Sequence, residues 1–183
     1  MSFQRRDLIK FGLALGAGAL TGAGRAFASG IAGDDVRQLA VHNLHTGESL
    51  KAAYWEAGSY VPDALQAVNH VLRDHRTGDV HAIEPHLLDL MTTLSRRVES
   101  TKPFQIISGY RSPASNASLH AKSNGVATHS LHMQGQAVDI RLEGVSLTQL
   151  RDAALGMQIG GVGFYPGSDF VHVDVGRVRR WNG

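Results

Sequence analysis

Phe170-Val171-His172-Val173-Asp174-Val175 sets a valine at every second position. In an extended chain successive side chains point to opposite faces, so Val171, Val173 and Val175 share one face, and Phe170, His172 and Asp174 the other. The run predicts a strand whose valines enter a core, while His172 and Asp174 lie together on a more open face, about 7 Å apart. An isolated His-x-Asp pair reads equally as a surface histidine held by a carboxylate.

Outward from this strand the chain mixes short strands with helices. Val36 to Leu44 and Ser49 to Trp55 are β-favouring runs around His45-Thr46-Gly47-Glu48, the pattern of a hairpin. Pro62 opens a helix predicted over 62–76, with Leu65, Val68 and Leu72 at helical spacing. The run after Pro85 repeats the pattern through Leu87, Leu88, Met91, Leu94 and Val98 to about Ser100. Phe104 to Ser108 reads as a buried strand, Ser112-Pro113 starts a helix to about Ser123, and Ala137–Leu142 is another strand. Ser146 with Gln149 forms a capping box for a helix to about Met157. No regular βαβ alternation, repeat or composition break interrupts the pattern. These features predict a single α+β domain, an antiparallel sheet carrying the site with helices packed on one side.

The 183 residues are 43% hydrophobic and 19% charged, a globular composition. There are ten histidines and no cysteine, which excludes disulfides, thiolate nucleophiles and Cys-containing zinc sites. The net charge of +2 and pI near 9.2 belong to the full chain. Arg5-Arg6 precede a thirteen-residue apolar stretch, Phe11 to Ala23, followed by Ala26-Phe27-Ala28. That order is a signal peptide of the twin-arginine type, over 1–28, with cleavage expected after Ala28. The apolar stretch is short of the roughly 20 residues a membrane span needs, so no stable span is expected after cleavage. Arg5, Arg6, Lys10 and Arg25 would leave with Asp7, so residues 29–183 retain 14 basic and 15 acidic groups, a net charge of −1. The basicity belongs to the export segment, and nucleic acid is not an expected partner.

Ser130-Leu131-His132-Met133-Gln134-Gly135-Gln136-Ala137-Val138-Asp139 places a histidine seven positions before an aspartate, with Gly135 permitting a tight turn between them. Asp139 lies in an apolar strand, where a carboxylate is costly without a cation or strong donors. Zinc would supply that cation: two histidines and a carboxylate form a catalytic zinc set with one position left open. Arg141 or backbone donors would satisfy Asp139 in a purely structural role.

The pattern Ser130-x-His132-x-x-Gly135-x-Ala137-x-Asp139 resembles the signature of the LAS zinc peptidases, the superfamily of D-Ala-D-Ala carboxypeptidases and dipeptidases that also includes the hedgehog signalling domain. Gly161 to Tyr165 through His172-Val173-Asp174-Val175-Gly176 resembles its closing strand pair, and Ser108-Gly109-Tyr110-Arg111-Ser112 the loop that brings an arginine to substrate. The likeness spans roughly 36–181 and is nearest the exported MepK-type murein endopeptidases. It implies one Zn²⁺ per chain on His132, Asp139 and His172, and hydrolysis of peptidoglycan stem-peptide cross-links in the periplasm, with an L,D preference for bonds between diaminopimelate residues. It also implies that Arg111 stabilises charge at the carbonyl or binds a substrate carboxylate; Ser130, beside the substrate, orients the ligand loop, and His129, three residues before His132, is a substrate-lining residue with a metal ligand or transition-state donor as its other readings.

The dipeptidase branch has a glutamate three residues before its last histidine ligand, where this chain has Asp169-Phe170-Val171-His172. Asp169, one methylene shorter, and Asp174 are therefore rival general bases. The remaining readings are a D,D-carboxypeptidase or endopeptidase of the same superfamily, and a non-catalytic zinc-containing wall-binding module. No G-x-S-x-G elbow or H-E-x-x-H helix occurs, which removes serine hydrolases and zincins.

Overall fold

A computed structural model describes residues 36–122 and 126–183; the proposed signal peptide and its cleavage site lie outside them. The strands are β1 (Val36–Asn43), β2 (Ser49–Glu56), β3 (Ser59–Tyr60), β4 (Phe104–Ser108), β5 (Ala137–Leu142), β6 (Gly161–Tyr165), β7 (Phe170–Asp174) and β8 (Arg179–Asn182). The helices are α1 (Pro62–Val71), α2 (Pro85–Arg97), α3 (Pro113–His120) and α4 (Leu147–Met157). All eight strands join one sheet in the order β3-β2-β1-β4-β5-β7-β6-β8. The sheet is antiparallel except at β1–β4 and β6–β8, which pair in parallel. The mostly antiparallel order is the one expected; β1 and β4 pair in parallel because two helices separate β1–β2 from β4, so the chain returns to β1 from the same end.

Alternation along β5 and β7 divides the sheet into two faces. Val138, Ile140, Val171 and Val173 point into a core with Phe104 and Ile106 of β4, and α1, α2 and α4 contribute Val68, Leu87, Leu88, Met91, Leu94 and Leu150. The predicted apolar stripe of α2 is this contact. The other face carries rows set by register. Asp139, His172, Gly163 and Trp181 form one row across β5, β7, β6 and β8. Ala137, Asp174, Gly161 and Arg179 form the row on one side, and Gln105, Arg141, Phe170 and Tyr165 lie on the other.

Three helices are shorter than expected, α2 ending at Arg97 with Val98 as its C-cap, ahead of Ser100. The stripe of α1 continues to Leu72, but the helix ends at Val71, because Asp74 turns inward and its carboxylate accepts from the backbone N–H groups of Arg76 and Ser112, at 2.9 and 2.8 Å. Helix α3 starts on its expected Ser112 cap and ends at His120, with Ala121 as its C-cap. The strands β3 and β8 have no apolar alternation to announce them. Among the described residues no helix is long and apolar enough to cross a membrane.

Candidate metal centre

His132 sits in a 3₁₀ turn, Leu131–Gln134, that leads through Gly135 into β5. Gly135 is obligatory there: its φ is +66°, and a Cβ would lie 2.2 Å from the carbonyl oxygen of Ala82. Ser130 is buried and caps the turn with its backbone carbonyl, which accepts from Met133 at 3.0 Å. The turn is bonded to the Arg111 loop in both directions. Arg111 N–H donates to the His132 carbonyl at 3.1 Å, and His132 Nδ1 lies 2.8 Å from the Gly109 carbonyl. Histidine and arginine therefore orient each other.

Asp139 and His172 are cross-strand partners on β5 and β7, and His132 Nε2 reaches over to both. Asp139 Oδ1 is 3.2 Å from His132 Nε2 and 2.8 Å from His172 Nδ1, and the two imidazole nitrogens are 3.1 Å apart. The hydrogen-bond partners fix where the protons are. A carbonyl only accepts, so His132 carries its proton on Nδ1 and turns a bare Nε2 inward. Asp174 Oδ2, 3.1 Å from His172 Nε2, likewise claims that nitrogen's proton and leaves Nδ1 facing the cluster. Two ring nitrogens and a carboxylate oxygen thus converge on one point, an arrangement that requires positive charge at its centre. Burial lowers the pKa of His132 and keeps it neutral. Burial also opposes charge on His172, but its bonds to Asp139 and Asp174 win and raise it to about 9, so in the absence of a cation Nδ1 also carries a proton, toward Asp139, which a bound ion would displace. Burial would raise Asp139, yet the neighbouring histidines hold it below the ordinary carboxylate range. These three residues are the group among the described residues able to hold a metal ion, with all ligand atoms within 4.8 Å of one another. The donor set fits a first-row divalent ion bound by His and Asp.

Arg111 flanks the cluster, with its side chain 11% exposed and Nη2 3.6 Å from Asp139 Oδ2. Hydrogen bonds at 3.4 Å run from Nη2 to Ser108 Oγ and from Nη1 to Asn116 Oδ1. Its Nε is buried with no hydrogen-bond partner among the described residues. Asp139 takes its cation from Arg111, not from Arg141, which instead bonds Gln105 at 2.6 Å and the carboxylate of Asp169.

The expectation that Asp174 lies on an open face is overturned: it is 0% exposed. Its Oδ1 accepts from the N–H groups of Gly161 and Gly176 and from Arg179 Nη1, at 2.9, 2.9 and 3.0 Å. Oδ2 faces His172 Nε2 and accepts from Arg179 Nη2 at 2.7 Å. β6 and β8 cover this end of the face, and these five contacts occupy both oxygens of the Asp174 carboxylate. Asp169, at the turn before β7 with φ +56°, is 62% exposed and paired with Arg141. His129 is exposed beside buried Ser130. Trp181 lies across Gly163, where a Cβ would meet its ring at 2.6 Å, and reaches the His172 ring at 5.2 Å.

Sequence reasoning missed Arg179 and Asp74. The signal for Arg179 was available, since a carboxylate between core valines demands a cation. Asp74 is 1% exposed and ties the end of α1 to Ser112, next to Arg111. Burial alone would raise its pKa, but the bonds donated to it hold it below the ordinary value. Its contribution to stability is therefore full above about pH 4 and drains as the pH falls. Asp74→Asn should cost about 1–3 kcal/mol at pH 7, with the gap to wild type narrowing in urea titrations carried toward pH 3.

Comparison with known proteins agrees with this geometry. A family model described as peptidoglycan L,D-endopeptidase MepK matches residues 31–181. The peptidoglycan L,D-endopeptidase MepK of Escherichia coli (strain K12) is 44% identical over 179 residues, covering 97% of either chain. A probable peptidoglycan L,D-endopeptidase MepK of Haemophilus influenzae is 38% identical over 151 residues, 80% of each. With most of its length matched and its His-Asp-His cluster assembled beside Arg111, the chain belongs to the MepK family of peptidoglycan L,D-endopeptidases.

Proposed function

We propose that this chain is an exported, zinc-dependent murein endopeptidase that hydrolyses peptide cross-links in peptidoglycan, with preference for L,D bonds between diaminopimelate residues. The observation that carries the reading is the convergence of His132 Nε2, Asp139 Oδ1 and His172 Nδ1 beside a buried arginine whose Nε has no partner among the described residues. Family membership supports the substrate and the bond type. The Arg5-Arg6 pair, the apolar stretch and Ala26-Phe27-Ala28 support twin-arginine export to the periplasm.

His132, Asp139 and His172 would hold one Zn²⁺, which when bound polarises the scissile carbonyl and acidifies a water molecule. Arg111, fixed by the His132 carbonyl at its backbone and by Asn116 and Ser108 at its guanidinium, stabilises the negative charge that develops on the carbonyl oxygen. Asp169, exposed at the mouth of β7 and oriented by Arg141, receives the proton of the attacking water and passes it to the leaving amine. Ser130 supports the ligand turn from beneath, and exposed His129 lines the substrate side. Asp174 and Arg179 hold His172 in its tautomer.

Purified protein loaded with zinc should convert cross-linked muropeptide dimers in isolated sacculi to monomers, and chelator should stop the conversion. Dimers that persist in the presence of zinc would overturn the enzymatic reading and leave a wall-binding module. Products carrying a free L-centre carboxyl on diaminopimelate would separate L,D from D,D cleavage.

A further inference from the structure

The ligand row has a neighbour that the chemistry above uses only in part. Arg141 lies one strand repeat beyond Asp139 on the same face of β5, about 7 Å along the chain. Two of its three guanidinium nitrogens are fixed: Nε donates to Gln105 Oε1 at 2.6 Å, and Nη1 to Asp169. Its Nη2 donates to no described residue, and the side chain is 36% exposed. Asp139 already has Arg111 as its cation, so Arg141 is not required to neutralise the metal cluster. The same row continues across β7 and β6 as Phe170 and Tyr165, whose rings stack at 4.5 Å. The result is a pre-oriented cation with one open edge, beside an aromatic shelf and next to the point of bond cleavage. Such a surface fits a short aliphatic chain ending in a carboxylate.

We propose that Arg141 is a specificity-determining residue that binds the carboxylate at the far end of the diaminopimelate side chain in the stem peptide whose carbonyl is attacked, with Gln105 and Asp169 orienting its guanidinium. This inference rests on the endopeptidase reading above. Diaminopimelate has a second chiral centre three methylenes from the one bearing the scissile carbonyl, a separation of the same order as the two-residue strand repeat between Asp139 and Arg141. That second centre bears an amine and a carboxylate. Lysine has the same chain and amine without the carboxylate, so exchanging one for the other removes only the group that Arg141 would bind. Arg111 does not substitute for it, because its contacts with Asp139, Asn116 and Ser108 hold it at the metal cluster, where it serves the reacting carbonyl.

The test compares two synthetic cross-linked dimers that differ only in the donor stem, diaminopimelate in one and lysine in the other, with diaminopimelate kept in the acceptor. The zinc-loaded full chain should prefer the diaminopimelate donor by about 10- to 100-fold in kcat/KM, the range expected of one charge-assisted contact at a partly exposed site. In Arg141→Met the ratio should fall to near one, and Arg141→Lys, which keeps the charge without the fork, should lie between. Any effect that Arg141 exerts through Asp169 lowers both substrates alike and cancels in the ratio. A wild-type ratio near one, or a wild-type ratio retained in Arg141→Met, overturns the assignment while leaving the endopeptidase reading intact. If wild type cleaves neither dimer, the endopeptidase reading fails and this inference falls with it.

Discussion

Loss of any one of His132, Asp139 and His172 should lower kcat/KM by about 10³-fold or more, the several kcal/mol of charge stabilisation that a bound divalent ion supplies. The three substitutions should nevertheless differ in what else they disturb. His132→Ala also removes the donor to the Gly109 carbonyl, a bond joining the ligand turn to the Arg111 loop, so charge stabilisation and metal binding should fail together. Asp139→Asn keeps the shape of the side chain but removes its charge, leaving Arg111 and His172 without their carboxylate. Its effect should fall on metal affinity more than on the fold, since two positive groups then face the position the ion would take. His172→Ala strips Asp174 of one donor while leaving Arg179 and the Gly161 and Gly176 amides in place. Bound metal measured by mass spectrometry beside turnover on cross-linked dimers checks all three. A folded variant that retains stoichiometric zinc and wild-type turnover would remove its residue from the site.

The sequence made these three positions visible because each lies in a pattern that physics constrains twice. Asp139 sits among core residues where an ion is costly, and His172 alternates with valines that must face inward. The α2 stripe and the capped start of α3 were visible for the same reason, being local patterns with local partners. Contacts made late in the chain or across loops were not. Alternation placed Asp174 correctly on the face of His172, but it could not tell that β6 and β8 would cover that end of the sheet. Arg179-Arg180-Trp181-Asn182 carries no apolar period, and it becomes a strand only because β6 offers an edge and Gly163 leaves room for Trp181. The early end of α1 has a similar origin, since the partner of Asp74 is the amide of Ser112 nearly forty positions away. Parallel pairing of β1 with β4 depends on how the intervening helices return the chain, which no single segment encodes.

The second large effect is expected at the pair behind His172. Asp174 has no exposure to solvent, and Arg179 grips both of its oxygens, Nη1 on Oδ1 at 3.0 Å and Nη2 on Oδ2 at 2.7 Å. The surroundings are shaped to admit this pair: a Cβ on Gly161 would lie 2.4 Å from both Arg179 Nη1 and Asp174 Oδ2. Arg179 also stacks over Trp181 at 4.9 Å, and Trp181 contacts the His172 ring, so guanidinium, carboxylate and indole all bear on one imidazole. Arg179→Met leaves a buried carboxylate without its counter-charge and should cost about 3–5 kcal/mol of stability. Asp174→Asn loses the charge but keeps one acceptor, and because Arg179 is partly exposed its stranded guanidinium can reach water, so the cost should be smaller. Asp174→Asn takes from the Nε2 proton of His172 the carboxylate that fixes its tautomer, and zinc affinity should fall about 10- to 100-fold, as it does when the partner behind a metal-binding histidine is lost; Arg179→Met keeps that carboxylate and should lower zinc affinity less. Combining Arg179→Met with Asp174→Asn should be less destabilising than the sum of the two, because the double variant buries no unpaired charge. Urea unfolding monitored with the zinc dissociation constant separates the two roles. Strict additivity in stability would show that the two residues are not coupled, and zinc affinity unchanged in a folded Asp174→Asn would show that the pair braces β8 without acting on His172.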